Sequence, residues 1–405
     1  MHESVTIEDL ELARARLAGV VKPTPLIQSA TLSRMLGAEV CLKPENLQKT
    51  GSFKIRGAYN RIAALSPTEA ARGTVAASAG NHGQALAWAA SRAGVRATIV
   101  MPATAAIAKV DATRSYGQAV ELAGVDYLEA HRAAEEICAR TGALFVDAYD
   151  DPFVIAGQGT VGLEIAAELA PDFVVVPVGG GGLIAGVALA LAARAPRAKL
   201  IGVEAAGSPQ LSLSLSQGAP STVPTAADTI ADGLATGRIG RLPFEIIRDR
   251  LDRVVTVDDF EIGEAVLLLL ERMKLLAEGA GAAALAGALK LGGALAGRRV
   301  VIVASGGNID VNLLDRIIGH GLAKAGRLIR LMVEMRDRPG ELGRLLAVVT
   351  EQGANVHAIQ HDRARRDVRI GSARVTLELE TRGHGHIERI REALAAHGHK
   401  VVIEN

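Results

Sequence analysis

The segment Lys43-Pro-Glu-Asn-Leu-Gln-Lys-Thr-Gly-Ser-Phe-Lys54-Ile-Arg-Gly57-Ala58 places one lysine, Lys54, directly after an aromatic residue, Phe53, and a turn rich in glycine and hydroxyl groups. A lysine amine can bond covalently to a carbonyl compound and later serve as an acid or a base. The flat side chain beside it can cover one face of a planar ring. The alternative interpretation is an ordinary strand-to-helix junction with a solvated lysine, and motifs elsewhere in the chain must separate the two.

The composition of the 405 residues excludes several classes of partner. Lys plus Arg (45) nearly equals Asp plus Glu (44), so we expect no binding to nucleic acid or to a membrane surface, and a small neutral or zwitterionic substrate suits this balance. The length allows about two to three domains. Two cysteines, Cys41 and Cys138, are too few for a disulfide framework, which fits a reducing cytoplasm.

The uncharged stretch from Phe173 to Ala193 is long enough to imitate a membrane span. Pro177 and the four glycines from Gly179 to Gly182 argue against a continuous helix. The run Val174 to Val178 predicts instead a buried parallel strand, followed by a loop and an Ala/Leu helix.

Short β-branched runs alternate with alanine-rich stretches from about Val40 to Leu322, which is typical of a parallel sheet covered by helices. Ligands bind beyond the carboxyl ends of strands in open α/β sheets, so we expect the loops Ser78–Asn81, Gly179–Gly182 and Ser305–Asn308 to converge on one site. The predicted strands are Val40–Leu42, Thr74–Ala77, Thr98–Met101, Phe173–Val178, Leu200–Glu204 and Arg299–Ala304.

The composition shifts after about Ala325, and the rest of the chain predicts a βαββαβ unit. Six of the ten histidines lie there, including His384 and His386, and we expect them to be solvated. The predicted elements are strand Leu328–Met335, helix Gly340–Gln352, strand Ala354–His361, strand Ile370–Glu380, helix His386–His397 and strand Lys400–Glu404.

Taken together, the segment 43–58 and the loops resemble the fold-type II pyridoxal-phosphate enzymes, in the version carried by the threonine and serine dehydratases. The resemblance covers most of residues 20–320. It implies an α/β fold of the tryptophan synthase β type with two open parallel-sheet domains, a large one from residues 1–66 and 151–322 and a small one from 67–150. It also implies pyridoxal 5'-phosphate as the cofactor, with Lys54 holding it as a Schiff base and Phe53 beside its ring.

The family's tetraglycine phosphate loop is matched by Gly179, Gly180, Gly181, Gly182 and Leu183. Backbone N–H groups at such a strand-to-helix junction can bind phosphate, assisted by the partial positive charge of the helix N-terminus. A tight turn without a ligand is the alternative interpretation.

The family's substrate loop is resembled by Ser78-Ala79-Gly80-Asn81-His82-Gly83-Gln84. The resemblance implies that Ser78, Gly80, Asn81 and His82 bind the substrate, with N–H groups and the serine hydroxyl on its carboxylate and the Asn81 amide at the 3'-oxygen of the cofactor. Helix capping by Ser78 and Asn81 is the alternative, and both roles can coexist.

Two further residues resemble members of the family's cofactor site. Ser305 matches the serine that bonds the pyridine nitrogen, and a hydroxyl there leaves the nitrogen largely unprotonated, which favours prompt loss of a β-leaving group. Glu278 matches a glutamate near the cofactor, although a solvent-facing carboxylate at a helix end is the alternative.

The departures from the family pattern carry information. Position 79 is alanine where the serine racemases have a second serine, on the ring face opposite the lysine, so dehydration is favoured over racemisation. Glu204 and the backbone carbonyl of Ser208 match two ligands of the family's cation site, but Gln210 stands where an aspartate is expected. A monovalent or divalent cation is therefore in doubt.

Residues 327–405 resemble the ACT regulatory domain through Arg338-Pro339-Gly340-Glu341-Leu342 and Gly353-Ala354-Asn355-Val356. The resemblance implies that a branched-chain amino-acid effector, isoleucine or valine, binds at Pro339, Gly340 and Asn355 between paired ACT units of a homodimer or homotetramer. The alternative is an unregulated ferredoxin-like dimerisation domain.

The activity implied by these resemblances is dehydration and deamination of L-threonine to 2-oxobutanoate and ammonia, in isoleucine biosynthesis or threonine catabolism, with L-serine as a further substrate. An L-serine dehydratase or a serine racemase of the same fold stays open. Threonine synthase is disfavoured because an aspartate would be expected where Ile55 stands. The non-enzyme alternative is an ACT-based amino-acid sensor on a decayed scaffold, against which the intact Lys54, Asn81, glycine run and Ser305 speak.

Overall fold

The computed structural model describes residues 4–223, 229–363 and 368–404. The chain divides into two compact units, Met1–Asp310 and Val311–Asn405. The helix Val311–Lys324 groups with the second unit, so the domain end predicted at residue 322 falls within this helix, near its carboxyl end.

The first unit alternates strands and helices along the chain. Its strands are β1 (Ile27–Gln28), β2 (Glu39–Pro44), β3 (Thr74–Ala77), β4 (Ala97–Met101), β5 (Ala119–Leu122), β6 (Leu144–Phe145), β7 (Phe173–Pro177), β8 (Lys199–Ala205), β9 (Leu251–Val257) and β10 (Arg299–Ala304). Its helices are α1 (Ile7–Leu17), α2 (Ala30–Leu36), α3 (Lys54–Ala63), α4 (Pro67–Arg72), α5 (Asn81–Ala93), α6 (Ile107–Arg114), α7 (Tyr127–Thr141), α8 (Pro152–Glu168), α9 (Gly182–Arg194), α10 (Gln210–Gln217), α11 (Arg241–Ile247), α12 (Asp259–Leu268) and α13 (Gly279–Leu291).

The larger sheet of this unit has the order β1-β2-β10-β7-β8-β9, and its neighbours pair in parallel except for β1 with β2. Strand β7 is buried along its whole length, as a strand covered on both faces requires. Val174 and Val176 pack in one apolar cluster with Ile155 of α8 and Ile184 of α9. The uncharged stretch 173–193 thus forms a strand, a loop and a helix, as predicted, and the described residues include no helix long and apolar enough to cross a membrane.

The smaller sheet is wholly parallel, with the order β5-β4-β3-β6. The pattern of apolar runs did not predict β1, β5, β6 or β9. Strands β1 and β6 have two residues each, and β5 and β9 are edge strands with mostly exposed or half-buried side chains. Strands of this kind lack the continuous apolar run that marks a central parallel strand.

The second unit contains α14 (Val311–Lys324), β11 (Leu328–Arg336), α15 (Glu341–Glu351), β12 (Asn355–Asp362), β13 (Ser372–Glu380), α16 (His384–Ala396) and β14 (Lys400–Glu404). Its strands form an antiparallel sheet of order β12-β13-β11-β14, so the predicted βαββαβ unit is confirmed. The expectation of solvated histidines is wrong for His386. This ring is buried, accepts the Arg382 N–H at 3.1 Å and lies 2.8 Å from the Gln352 carbonyl oxygen.

Candidate active site

A cavity of about 310 Å³ lies in the first unit, where loops that follow β3, β7 and β10 come together. The structure brings every predicted cofactor and substrate residue of this unit to its wall. These residues are Phe53, Lys54, Ser78, Gly80, Asn81, His82, Gly179, Gly180, Gly181, Gly182, Leu183, Glu278 and Ser305. The convergence follows from the parallel arrangement, because the carboxyl ends of parallel strands meet at one edge of each sheet.

Lys54 is the first residue of α3 and projects into this cavity. Its Nζ donates to the carbonyl oxygen of Ala148 at 2.9 Å and lies 5.3 Å from the centroid of the Phe53 ring. Burial lowers the pKa of Lys54 to about 8, against the opposing effect of the Asp147 and Glu278 carboxylates. The alternative of a freely solvated lysine is therefore wrong, and about one-tenth of the amine is neutral at pH 7.

The glycine loop, Gly179 to Gly182, leaves no room for side chains. Gly181 has φ +93°, in the left-handed region that favours glycine, and forms the N-cap of α9. A Cβ atom on Gly180 would overlap the Tyr149 ring, and one on Gly181 would lie 2.8 Å from Cβ of Pro243. The bare backbone and the N-terminus of α9 together make a concave surface suited to an anion.

The loop between β3 and α5 presents an uncharged helix start. Gly80 is the N-cap, and no side chain caps the helix, so the capping alternative is wrong for Asn81. Ser78 Oγ accepts the N–H of Gly80 at 3.2 Å. No acidic residue occupies the first turn of α5, which leaves the partial positive charge of the helix end for an anion such as a carboxylate.

Asn81 is held by two partners from distant parts of the chain. Its Nδ2 donates to Glu278 Oε1 at 2.6 Å, and its Oδ1 accepts from Asn308 Nδ2 at 2.7 Å. Asn308 also donates to the carbonyl oxygen of Thr50 at 2.8 Å. An amide nitrogen carries two hydrogens, so Asn81 retains one for an acceptor in the cavity. Asn308 lies in the predicted loop 305–308, but the sequence motif gave no indication of this role.

Glu278 does not face solvent, which corrects the helix-end alternative. Its side chain is only 6 % exposed, and burial, with the nearby Asp232 carboxylate, raises the pKa of Glu278 to about 7. Asp232 in turn pairs with Lys109 at 2.7 Å, and both residues line the cavity. Neither Lys109 nor Asp232 belongs to a motif that sequence reasoning recognised.

His82 is a neutral imidazole in this environment. Burial and the Lys54 charge lower the pKa of His82 to about 3. Its Nε2 lies 3.0 Å from the carbonyl oxygen of Val146, which can only accept, so Nε2 carries the proton. Nδ1 is buried and finds no hydrogen-bond partner among the described residues, which leaves an acceptor atom beside the cavity.

Ser305 follows the last residue of β10 and is 3 % exposed. Its hydroxyl donates to the Ala280 carbonyl oxygen at 3.3 Å, a long contact that a ligand atom could replace. The Ser305 carbonyl oxygen accepts the N–H of Phe53 at 3.1 Å, which ties the lysine segment to the end of β10.

The two residues predicted to bind a cation are both buried, and their side chains form hydrogen bonds within the protein. Glu204 accepts the Leu211 N–H at 2.9 Å, and Ser208 donates to Gln210 Oε1 at 2.6 Å. The described residues contain no group of three or more His, Cys, Asp or Glu side chains arranged to hold a metal ion.

The predicted effector residues lie at opposite ends of the sheet of the second unit. Asn355 and Leu328 both pair with Glu380, so Asn355 lies where β11 begins. Strand β11 ends at Arg336, eight residues after Leu328, and Pro339 and Gly340 follow that end. The two ends of the strand are about 25 Å apart, at roughly 3.3 Å per residue. A single copy therefore does not bring Asn355 to the 339–340 turn.

The chain belongs to the family described as pyridoxal-phosphate dependent enzymes, whose model matches residues 17–306, and its residues 329–399 match the model of the ACT domain. It is 50% identical to an L-threonine ammonia-lyase of Thermotoga maritima over 402 residues, which cover 98% of this chain and 99% of the relative. It is 41% identical over 318 residues to a catabolic L-threonine dehydratase of Escherichia coli, covering 78% and 96%.

Solved structures with similar folds include both dehydratases and racemases. A threonine deaminase of Solanum lycopersicum superposes with a TM-score of 0.74 at 36% identity, covering 78% of this chain and 90% of that one. A serine racemase of maize gives the same TM-score at 35% identity, covering 79% and 99%.

The residues that line the cavity fit pyridoxal phosphate, the family's cofactor. Lys54 offers a partly neutral amine, the glycine loop offers a concavity in which a Cβ would clash, and His82 offers a buried acceptor that has no partner in the described part of the chain. Such a site combines a nucleophilic amine, an anion cradle and a polar wall within one cavity.

Proposed function

We propose that this chain converts L-threonine to 2-oxobutanoate and ammonia and also acts on L-serine. The observation that carries the proposal is the Lys54 amine, with a pKa of about 8, in one cavity with the glycine loop and the uncharged start of α5. The identity of 50% to a threonine ammonia-lyase over nearly the whole chain supports the same substrate.

When bound, pyridoxal phosphate supplies an electron sink for negative charge that develops at Cα of an amino acid. Gly180 to Gly182 and the N-terminus of α9 would hold its phosphate, and the Ser305 hydroxyl on the cavity wall would bond the pyridine nitrogen. The N–H groups at the start of α5 and the Ser78 hydroxyl hold the substrate carboxylate.

Lys54, once neutral, removes the proton from Cα of the substrate. The β-hydroxyl leaves with one proton as water, which balances the proton taken from Cα and gives an enamine. Hydrolysis of the enamine by a second water yields the keto acid and ammonia. Asn81 would donate to the 3'-oxygen of the cofactor. Its amide is oriented by Glu278, which accepts from the amide nitrogen, and by Asn308, which donates to the amide oxygen.

A racemase of the same fold is the second candidate, favoured by the similarity to the maize enzyme. Ala79 lines the cavity and has no proton to give, so this residue cannot supply the acid that racemisation needs. Elimination is therefore the better-supported outcome.

An assay of keto-acid production from threonine and from serine tests the proposal, together with chiral analysis of the remaining substrate. Lys54→Ala should abolish turnover and the visible absorption of the protein-bound cofactor. The matched control is Lys49→Ala, which removes a lysine of the same segment that does not line the cavity. Turnover by Lys54→Ala at the wild-type rate would refute the assignment, as would racemisation without keto acid in the wild type.

The ACT domain indicates binding of an amino-acid effector. The proposed effector is isoleucine or valine, bound between paired ACT units of a cytoplasmic homodimer or homotetramer. The opposite positions of the 339–340 turn and Asn355 support pairing, since a second copy can supply the end that the first lacks.

Truncation after Leu322 tests this regulation. The Escherichia coli relative aligns over 318 residues at 96% coverage, about the length of the first unit, which argues that a shorter chain can fold. The truncated enzyme should turn over threonine without responding to isoleucine or valine. Equal responses in both proteins would place the sensing site elsewhere, and no response in either would leave a dimerisation module. A coupling of about 1–3 kcal/mol predicts a change in affinity of about 5- to 150-fold.

A further inference from the structure

Gln210, the first residue of α10, lies fully buried where three backbone carbonyl oxygens meet. Its Nε2 is 2.9 Å from the oxygen of Leu234, 3.1 Å from that of Gly179 and 3.5 Å from that of Val178. Gly179 opens the glycine loop, and the 233–234 segment packs directly against it, since a Cβ on Gly179 would lie 2.9 Å from the Gly233 oxygen. The amide therefore joins the base of the loop to the segment beside it.

The orientation of this amide follows from its neighbours. Ser208 Oγ donates to Gln210 Oε1 at 2.6 Å, whereas the three carbonyl oxygens can only accept. Turning the amide over would place its oxygen against three other oxygens and its nitrogen against the serine. Ser214 Oγ also donates to the Gln210 carbonyl oxygen at 2.7 Å, which secures the first turn of α10.

Several carbonyl oxygens that converge on one buried point form the kind of ligand set that a hard cation binds. The Leu234 oxygen also accepts the Thr236 N–H at 2.8 Å, so the need for positive charge or N–H donors at this point comes chiefly from the buried oxygens of Gly179 and Val178. Here the two hydrogens of one neutral amide serve three oxygens, of which Val178 is the most distant.

Glu204, the acidic residue predicted to bind a cation, is already used by other donors. Its carboxylate accepts the Leu211 N–H at 2.9 Å, the Ser212 N–H at 3.2 Å and the Ser212 hydroxyl, all at the start of α10. These hydrogens occupy the oxygens that a cation would need. The residues present therefore do not fit the predicted ion site.

We infer that the Gln210 amide takes the place of a bound cation beneath the glycine loop. It is a positioning residue, which holds the carbonyl groups of Gly179 and Leu234 so that the loop N–H groups face the opposite way, toward a phosphate. The chain then needs no monovalent or divalent ion for the shape of this loop. The assignment of the loop to phosphate rests on the proposed function, but the independence from cations does not.

The test is Gln210→Glu, which is isosteric and sets a carboxylate oxygen against the three carbonyl oxygens. The matched control is Gln217→Glu, an exposed position at the end of the same helix. Full-length proteins are dialysed against chelator, and the unfolding temperature is measured alone and with K⁺, Mg²⁺ or Ca²⁺ at constant ionic strength. The dissociation constant of pyridoxal phosphate is measured in the same buffers.

The wild type and Gln217→Glu should show the same unfolding temperature and cofactor affinity in every buffer. Gln210→Glu should unfold at least about 3 °C lower and bind the cofactor about five- to tenfold more weakly, because the loop loses its donors. A cation should restore both properties in Gln210→Glu alone, since carboxylate and carbonyl oxygens then form a ligand set.

Three results would overturn the inference: a saturable rise in the wild-type unfolding temperature with any of these cations, Gln210→Glu behaving as Gln217→Glu does, or a loss in Gln210→Glu that no cation reverses. Should Gln210→Glu fail to fold, elemental analysis of the dialysed wild type decides, because a stoichiometric metal ion would refute the replacement. Catalytic inactivity of a cation-independent wild type would count against the proposed function and leave this inference standing.

Discussion

The ionisation of Lys54 can be shifted in a known direction through Asp147. This carboxylate is the larger of the two charges that oppose the effect of burial on the pKa of Lys54. Its Oδ1 accepts the N–H groups of Tyr149 at 2.8 Å and Asp150 at 2.7 Å, contacts that an asparagine oxygen can keep. Asp147→Asn therefore removes a charge and retains the turn.

The sign and size of the effect follow from the pKa. A carboxylate favours the charged amine, so its removal lowers the pKa of Lys54 below about 8. At pH 7 an amine with a pKa of about 8 is about one-tenth neutral, and a decrease of about half to one unit makes it about one-quarter to one-half neutral. Because only the neutral amine attacks a carbonyl group, attachment of the cofactor should be about two- to fivefold faster at pH 7.

The assay is stopped-flow mixing of the apoprotein with pyridoxal phosphate from about pH 6.5 to about pH 9.5, following the visible absorption of the bound cofactor. The ratio of variant to wild-type rates cancels the ionisation of the cofactor itself. It should be largest at low pH and approach one above about pH 9, where both amines are neutral. Asp249→Asn, which alters an exposed carboxylate, is the control. A ratio that is flat, or below one at pH 7, would refute this account of Lys54.

Ala79→Ser adds a hydroxyl to the cavity wall as a second acid and base beside Lys54, so chiral analysis of residual serine should reveal slow racemisation together with continued elimination. Glu45→Gln removes one of the two carboxylates that pair with the buried Arg56 and leaves Glu164, so urea unfolding should show a loss of about 2 kcal/mol. Gly180→Ala forces a Cβ into the Tyr149 ring, so cofactor affinity should fall at least about tenfold.

Matched changes separate these effects from general damage. Gly319→Ala adds a Cβ that meets nothing within 4 Å and should leave cofactor affinity unchanged, and Glu8→Gln alters an exposed carboxylate and should leave stability unchanged. Optically pure residual serine, an unaltered urea midpoint or wild-type cofactor binding would contradict the respective prediction.

The central strands of the first unit could be predicted because their sequences are continuous apolar runs. Phe173–Val178 and Arg299–Ala304 match β7 and β10 within one residue, since strands buried on both faces tolerate few polar side chains. The edge strands β5 and β9 were not predicted, because their mostly exposed or half-buried side chains can be polar. Prediction from local pattern therefore succeeds where burial is symmetrical.

The class of the fold, the order of its elements and the loops that carry Lys54, the glycine run and Ser305 follow from the amino-acid sequence, because short contiguous motifs encode them. What these residues can do depends on contacts that form only in the folded chain. The pKa of Lys54 depends on burial, and Asn81 is oriented by Glu278 and by Asn308, which lie 197 and 227 positions away. In the sequence, Gln210 stands where an aspartate ligand of a cation is expected. In the fold, its amide nitrogen contacts three backbone carbonyl oxygens from distant segments. Desolvation and long-range hydrogen bonding arise from contacts between remote segments, which no local pattern of residues encodes.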